Sequence, residues 1–367
     1  MKNLVRICVS AVIVFGAVCI ARAQEGPTRA DFECLMLANS SASATPGTAS
    51  PVVSYHHVFI PEINYGSFQS NGLDLVYETE GTGKEIVIVA PGGLGLPHEY
   101  LHPMLSNLAH YVKLVFFDRR SDMLSTRSNR EWASIDEMAD DIDALRQKLG
   151  LSRVTLLAHS FGGAVALNYA LRYPDNLKRL ILVNTSASIE NPAESERRLV
   201  KTFTAKEAAS YYTNEGVKAV GSPCERVRLR YRALYPHYFH HKVEAALVDR
   251  GYYAIYFDAL AKRHVLAGDS GAGTDVSDRL ERIKAPVLVF GGRYDQVTTL
   301  DQSAALAQGL PHSRFVVMEH SGHFPVFEEN YMFTQWVRRF ITGTTGSEED
   351  MKTSAPLVAT PMRAGGR

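Results

Sequence analysis

A serine in a tight turn between two apolar segments is the feature that most restricts how this chain can fold. The sequence A-H-S-F-G-G at residues 158–163 follows a V-T-L-L segment and precedes an alanine-rich, helix-forming segment at residues 164–171. A strand, a small-residue turn with a central serine and a helix form the setting of a nucleophile elbow. Such a turn strains the serine backbone and therefore requires small neighbours. It also exposes the hydroxyl beside a helix N-terminus. We predict Ser160 as a nucleophile; the alternative is a glycine-rich turn with an incidental serine.

Two later segments carry the partners that a serine nucleophile needs. Asp295 follows the apolar segment at residues 286–290, and His323 follows the apolar segment at residues 314–318. A neutral hydroxyl is a poor nucleophile and requires a base, and histidine supplies one near neutral pH. A buried aspartate fixes the histidine tautomer and stabilises the imidazolium that forms. We therefore predict a catalytic triad of Ser160, Asp295 and His323.

Both partners have alternatives. Asp295 stands in a glycine-started loop, where an aspartate often only stabilises a turn. His320 lies three residues before His323 and competes with it as the base. Gly322 favours His323, because a glycine allows the tight turn that would aim the next side chain inward.

A glycine-rich loop upstream supplies candidates for the oxyanion hole. The apolar segment at residues 85–90 is followed by P-G-G-L-G at residues 91–95. Backbone N–H groups of such a loop, together with that of the residue after the nucleophile, can stabilise a developing oxyanion. We predict that Gly93 and Phe161 donate these hydrogen bonds. The alternative is a flexible loop without a catalytic role.

This set of motifs resembles the α/β-hydrolase family, and within it the proline-iminopeptidase-like branch. The order Ser160, Asp295, His323 is the order of α/β-hydrolases rather than of the two common protease classes. Residues 91–101 are similar to the H-G-G-P-G loop of that branch, and residues 118–125 to its D-Q-R-G-x-G-x-S segment. The resemblance covers roughly residues 65–342. It implies a serine hydrolase without a cofactor that acts on small esters, amides or N-terminal residues of peptides.

Several positions depart from that branch. Pro91 and Leu94 replace the loop histidine and proline, and the nucleophile turn has the form of a generic esterase. Iminopeptidases of this branch hold the free amine of the substrate with a glutamate in the cap, in a segment similar to E-N-H-Y-F. Here that segment reads Y-P-H-Y-F, with Tyr235 in the acid position. Other candidates for the amine-binding acid are Glu194, Glu207, Glu225 and Glu244.

The alternation of apolar strand-length segments with helix-forming segments predicts the fold. It indicates a mostly parallel sheet flanked by helices, the α/β-hydrolase fold. Ser134 and Glu137 form a capping box at the start of a predicted helix over residues 135–149. Between Asn184 and Ile283 the strand pattern stops and aromatic residues accumulate. We predict a helical cap there, over the strand ends where open α/β sheets bind ligands.

The predicted divisions of the chain follow from these patterns. They are a signal peptide (residues 1–23), a flexible N-terminal arm (24–60), the first part of the hydrolase core (61–186), the helical cap (187–283), the second part of the core (284–342) and a disordered tail (343–367).

The first residues have the parts of a secretory signal. Lys2 and Arg6 precede an apolar run at residues 9–20, and A-R-A at residues 21–23 fits a cleavage site. The apolar run is short for a membrane span. We therefore predict a secreted or periplasmic protein that begins at Gln24 and has no integral membrane span after signal removal.

Cysteine content and charge restrict the partners further. Cys34 and Cys224 remain after signal removal, as one disulfide or as two free thiols; a lipoprotein signal ending at Cys19 is a weaker alternative. No Cys/His spacing predicts a metal site, and we expect no cofactor. With 39 Lys and Arg against 39 Asp and Glu, the net charge is zero and gives no case for nucleic acid.

Three classes of function are compatible with these features. The first is a serine hydrolase acting on a small-molecule or short-peptide substrate, for which we favour a proline-iminopeptidase-like enzyme over a carboxylesterase or lactonase. The second is an acyltransferase or cofactor-free haloperoxidase of the same fold. The third is a binding protein that has lost catalysis, which the complete set of motifs argues against. Epoxide hydrolases and dehalogenases are disfavoured because their nucleophile is an aspartate.

Overall fold

One mixed sheet organises the chain. The computed structural model describes residues 63–93, 98–120, 134–190, 192–216, 233–241 and 275–343. Within them, an eight-stranded sheet has the order β1-β2-β4-β3-β5-β6-β7-β8. Strand β2 runs antiparallel to β1 and β4, and the other neighbouring strands are parallel. The strands are β1 (Asn64–Ser70), β2 (Leu73–Glu80), β3 (Ile86–Ala90), β4 (Lys113–Phe117), β5 (Val154–His159), β6 (Leu177–Val183), β7 (Val287–Gly292) and β8 (Ser313–Met318).

Helices follow most of the strands, as the alternating pattern predicts. The α-helices of the described residues are α1 (His102–Leu105), α2 (Ile135–Lys148), α3 (Phe161–Arg172), α4 (Pro192–Lys201), α5 (Ala205–Gly216), α6 (Leu300–Gly309), α7 (Pro325–Glu328) and α8 (Asn330–Thr342). Short 3-10 helices cover His98–Leu101, Leu108–His110, Pro174–Asn176, Tyr235–Tyr238 and Ser277–Arg282. The described parts of the predicted cap are residues 187–190, residues 192–216, which contain α4 and α5, residues 233–241 and residues 275–283.

The central strands are buried on both faces. In β5, Leu156 and Ala158 pack into one apolar cluster, and Leu157 packs into another. The first cluster includes side chains of α2, α3 and α6, and the second includes side chains of α1 and α8. Burial on both faces explains why these strands are continuous apolar runs rather than alternating ones. The sheet with helices on both faces confirms the predicted α/β architecture.

Local signals place most elements correctly, with differences at their ends. The capping box of Ser134 and Glu137 is confirmed at the start of α2. Strand β6 begins three residues before the apolar run at residues 180–183, which alone has strand composition, because Leu177 already pairs with Val154 of β5. The β1–β2 hairpin was not predicted. Its turn, Asn71-Gly72, has φ values of 48° and 78°, as a two-residue hairpin turn requires.

Several predictions concern residues outside the described ranges. These are the signal peptide, the N-terminal arm, the tail beyond Gly343 and both cysteines of the predicted mature chain. Among the described helices, none is long and apolar enough to cross a membrane.

Candidate active site

Ser160 stands at the junction of β5 and α3 in a strained conformation. Its φ and ψ are 52° and −124°, a region that residues other than glycine rarely adopt. The turn is tight: a Cβ at Gly162 would lie 2.5 Å from the carbonyl oxygen of Ala90, and one at Gly163 would lie 2.3 Å from Oγ1 of Thr185. Small residues after the serine are therefore a steric requirement. The geometry is that of the predicted elbow.

His323 connects the Ser160 hydroxyl to a buried carboxylate. Its Nε2 lies 2.9 Å from Oγ of Ser160, and its Nδ1 lies 2.8 Å from Oδ2 of Asp295. An ionised carboxylate only accepts hydrogen bonds, so Nδ1 carries the proton in the neutral ring. Nε2 is then the acceptor for the serine hydroxyl. The structure thus brings together the three side chains predicted from sequence, in the order that proton transfer from serine needs.

Asp295 is held by four donors. Oδ1 accepts hydrogen bonds from the backbone N–H groups of Val297 (2.7 Å) and Thr298 (3.1 Å). Oδ2 accepts one from Nδ2 of Asn184 (2.7 Å) in addition to that of His323. Four hydrogen bonds to two oxygens fix the orientation of the carboxylate. The aspartate therefore does more than stabilise its own turn.

The loop that carries His323 packs against residues 233–241, which belong to the predicted cap. The backbone N–H of His323 donates to the carbonyl of Tyr238 at 2.6 Å. A Cβ at Gly322 would lie 2.3 Å from that same carbonyl oxygen. Gly322 is therefore required by the close approach of the Tyr238 carbonyl rather than by a positive φ. His320 is exposed and lies outside the hydrogen-bond chain to Ser160.

The predicted oxyanion loop is held through the peptide groups of Gly92. Its N–H donates to the hydroxyl of Tyr100 at 2.6 Å, and its carbonyl accepts from Nη2 of Arg119 at 3.2 Å. The N–H of Gly92 thus already has an acceptor. Gly93, the predicted oxyanion donor, is the next residue and has a φ of 62°. Phe161 is the first residue of α3, where the N–H has no acceptor within the helix. Arg119 also lies over the Phe161 ring, so it contacts both sides of the predicted oxyanion hole.

A buried histidine connects the predicted oxyanion loop to the loop that carries His323. Nε2 of His159 lies 2.9 Å from the carbonyl oxygen of His323, so Nε2 carries the proton and donates it. Nδ1 then accepts from the Tyr100 hydroxyl at 2.8 Å. Burial and the nearby His323 ring lower the pKa of His159 to about 3. His159 therefore stays neutral and does not compete with His323 for a proton.

Sequence reasoning missed four residues of this arrangement: Asn184, Tyr100, His159 and Arg119. Asn184 had a detectable signal, because it follows a buried strand and asparagine tolerates its φ of 46°. The other three lie in the motifs already discussed, but their roles depend on partners distant in the chain. Among the described residues, three side chains are grouped closely enough to share a metal ion: Glu78, His98 and His102. None of them takes part in the hydrogen bonds that connect Ser160, His323 and Asp295.

We expect Tyr100→Phe to impair catalysis without weakening binding. The change removes the acceptor of the Gly92 N–H and the donor to His159, so the oxyanion loop loses its anchor. We expect kcat to fall about 10-fold with little change in KM, less than the roughly 100-fold or more that loss of a whole oxyanion donor costs. The matched control is Tyr331→Phe, whose side chain is 72% exposed. Steady-state kinetics with a p-nitrophenyl ester measure both, and an unchanged kcat for Tyr100→Phe would contradict this role.

Comparison of the sequence with known proteins identifies the family of this chain. A family model described as the alpha/beta hydrolase fold matches residues 85–330. The chain is similar to a proline iminopeptidase of Saccharolobus solfataricus, with 28% identity over 284 residues that cover 72% of this chain and 87% of that protein. It is similar to the AB hydrolase superfamily protein YclE of Bacillus subtilis, with 29% identity over 284 residues that cover 75% of this chain and 98% of that protein.

A solved structure shares the fold. An esterase from Thermogutta terrifontis superposes with a TM-score of 0.59 at 23% identity, over 76% of this chain and 98% of that one. The family model spans more than half of the chain, and the mostly parallel sheet with its flanking helices agrees with it. The chain therefore belongs to the α/β-hydrolase family, and the protein is a hydrolase with proline iminopeptidases among its relatives and an esterase among the structures that share its fold.

Proposed function

We propose that the protein is a serine hydrolase that cleaves small ester or amide substrates through an acyl-enzyme intermediate on Ser160. The observation that carries this proposal is the continuous hydrogen-bond chain from Ser160 Oγ through His323 to Asp295, with distances of 2.9 and 2.8 Å. The strained backbone of Ser160 supports it, because strain of this kind concentrates at functional sites.

The first half of the reaction forms the acyl-enzyme. Oγ of Ser160 attacks the substrate carbonyl carbon while its proton passes to Nε2 of His323. Asp295, held by its four donors, stabilises the imidazolium. The oxyanion that forms accepts hydrogen bonds from the N–H groups of Gly93 and Phe161. His323 then gives the proton to the leaving alcohol or amine as the bond to it breaks.

The second half releases the product by the same groups. Water takes the place of the leaving group, and Nε2 of His323 accepts a proton from it as it attacks the acyl carbon. Collapse of the second tetrahedral intermediate breaks the bond to Oγ, which recovers its proton from His323. An alcohol or peroxide in place of water would give the acyltransferase or haloperoxidase outcome.

The described cap residues favour a neutral substrate over a free amine. Glu194 is paired with Arg197 and its side chain is half exposed. Glu207 is partly exposed, accepts a hydrogen bond from the N–H of Thr204 and lies 3.6 Å from Nε2 of His237. Neither is a buried carboxylate that could pair with a substrate ammonium. Burying an ammonium without a carboxylate partner would be costly. Glu225 and Glu244 lie outside the described residues.

The surroundings of the base are aromatic. The ring centroids of Tyr238 and Phe324 lie 5.8 and 5.5 Å from that of His323. Tyr235, in the position of the expected acid, packs against Phe324 at 5.8 Å. Such a wall suits an apolar acyl or alkyl group. We therefore propose a preference for small neutral esters or lactones over peptides with a free N-terminus, with the iminopeptidase activity of the relatives as the alternative.

Relative kcat/KM values distinguish these substrate classes. We expect short-chain p-nitrophenyl esters to exceed proline arylamide by at least about 10-fold, because the described candidate acids Glu194 and Glu207 already have partners. For the same reason, N-acetylation of the arylamide should not lower its turnover. A strong preference for the free amine would overturn the neutral-substrate proposal and point to Glu225 or Glu244. In that case Glu225→Gln and Glu244→Gln would identify the residue, with Glu194→Gln as the matched control.

We also propose that the protein is exported. The proposal rests on the charged start, apolar run and A-R-A site of residues 1–23. Expression with the complete N-terminus in a bacterial host should yield a mature chain that begins at Gln24, measured by intact mass. A cytoplasmic chain that retains residues 1–23 would contradict the proposal.

A further inference from the structure

Two histidines and three carboxylates form a buried cluster at the antiparallel side of the sheet. Glu78 and Glu80 lie on β2, His98 lies in the 3-10 helix after the oxyanion loop, and His102 begins α1. Asp118 follows β4. Four of the five residues are at most 6% exposed, and His102 is partly buried. One ligand atom each from Glu78, His98 and His102 lies within 4.8 Å of the other two.

Each imidazole is oriented by its own carboxylate. Nδ1 of His98 lies 2.8 Å from Oδ1 of Asp118, and Nδ1 of His102 lies 3.0 Å from Oε2 of Glu80. With Nδ1–H donating to a carboxylate, the lone pair of each neutral ring is on Nε2. Histidines that bind a metal are held in this way, by a carboxylate on the nitrogen that does not ligate.

The two Nε2 atoms converge on a third carboxylate. Oε2 of Glu78 lies 3.3 Å from Nε2 of His98 and 3.0 Å from Nε2 of His102. Zinc bonds of about 2.0–2.1 Å in a tetrahedron separate two ligand atoms by about 3.3 Å, so these distances have the size of tetrahedron edges. Nε2 of His102 is buried and close to Glu78 without hydrogen-bond geometry, and Oε1 of Glu80 is buried without a hydrogen-bond partner.

If both imidazoles are neutral, the buried carboxylates of this cluster lack a cationic partner. Within the described part of the chain, Glu78 and Glu80 have ion-pair contacts with these two imidazoles alone. Buried carboxylates without a cationic partner are costly, and bound metal ions are a common solution. A divalent ion between the three converging atoms would compensate these carboxylates.

We propose that Glu78, His98 and His102 bind a divalent transition-metal ion of the zinc type, with Glu80 and Asp118 orienting the histidines. Three protein ligands leave a fourth tetrahedral position for water. The ion would join β2 to the helical segment that follows the oxyanion loop. This differs from the expectation of no metal site, because the His98–His102 spacing gains its meaning only from carboxylates on strands that lie elsewhere in the chain.

Zinc binding to the full mature chain, stripped with chelator, tests the proposal independently of hydrolysis. We expect one Zn²⁺ per chain by calorimetry and elemental analysis. Glu78→Gln and His102→Gln should weaken binding at least about 100-fold, and Glu80→Gln about 10- to 100-fold, as loss of a residue that orients a ligand does. His312→Gln, at an exposed histidine, is the matched control and should bind normally.

Co²⁺ substitution provides a test on the unaltered protein, in case a buried variant fails to fold. A tetrahedral nitrogen and oxygen site gives strong visible ligand-field absorption without a thiolate charge-transfer band. A thiolate band would place the ion on Cys34 or Cys224, and a weak octahedral spectrum would exclude the proposed geometry. The proposal is also overturned if no Zn²⁺ binds, or if Glu78→Gln and His102→Gln fold and bind as the unaltered protein does.

Discussion

Ser160→Ala is expected to lower kcat by about 10⁴- to 10⁶-fold while leaving the fold intact. The change removes the atom that forms the acyl-enzyme, so no other group of the hydrogen-bond chain can compensate. Alanine has a Cβ like serine and bears the same strain at a φ of 52°, so the turn is preserved. The measurement is kcat with a short-chain p-nitrophenyl ester, together with Tm from thermal unfolding.

Ser313→Ala is the matched control for Ser160→Ala. It removes a hydroxyl at the start of β8 that donates to the carbonyl of Ala307. We expect turnover within about twofold of the unaltered protein and a small loss of stability, of about 1 kcal/mol. Substantial turnover by Ser160→Ala with normal Tm would remove Ser160 from the mechanism.

His323→Ala is expected to be nearly as severe as Ser160→Ala, because the two side chains act as a unit. Without Nε2 the serine hydroxyl has no base, and the leaving group has no acid. His320→Ala should retain most of the turnover, since His320 is exposed and is not part of the hydrogen bonds that connect Asp295, His323 and Ser160. The combined variant Ser160→Ala/His323→Ala should be little worse than either single variant. A greater loss in His320→Ala than in His323→Ala would show that the wrong histidine has been assigned.

The tight turn at Ser160 could be predicted because its signals are local. The V-T-L-L segment, the small residues around Ser160 and the following helix all lie within about twenty residues, and each is required by the geometry of the same turn. Asp295 and His323 could be predicted in the same way, because each follows a buried strand of a parallel sheet. Parallel strands bring their carboxyl ends to one edge, so three distant residues meet there.

The supporting residues could not be predicted, because their roles are set by partners far away in the chain. Tyr100 bonds to His159, 59 residues later, and Asn184 bonds to the carbonyl of Gly322, 138 residues later. Neither pairing leaves a periodic pattern in the sequence. Gly322 illustrates the same limit. The sequence favours His323 over His320, but the reason for a glycine at position 322 is the nearby carbonyl oxygen of Tyr238, 84 residues earlier in the chain.

Covalent labelling with a fluorophosphonate tests the central claim most directly. The reagent reacts with an activated serine and leaves a stable phosphonyl group on Oγ, which intact mass and peptide mapping locate. We predict a single adduct on the peptide that contains Ser160, prevented in Ser160→Ala, strongly slowed in His323→Ala and unchanged in Ser313→Ala. An adduct that persists in folded Ser160→Ala, or that maps to another serine, would contradict the assignment of Ser160 as the nucleophile.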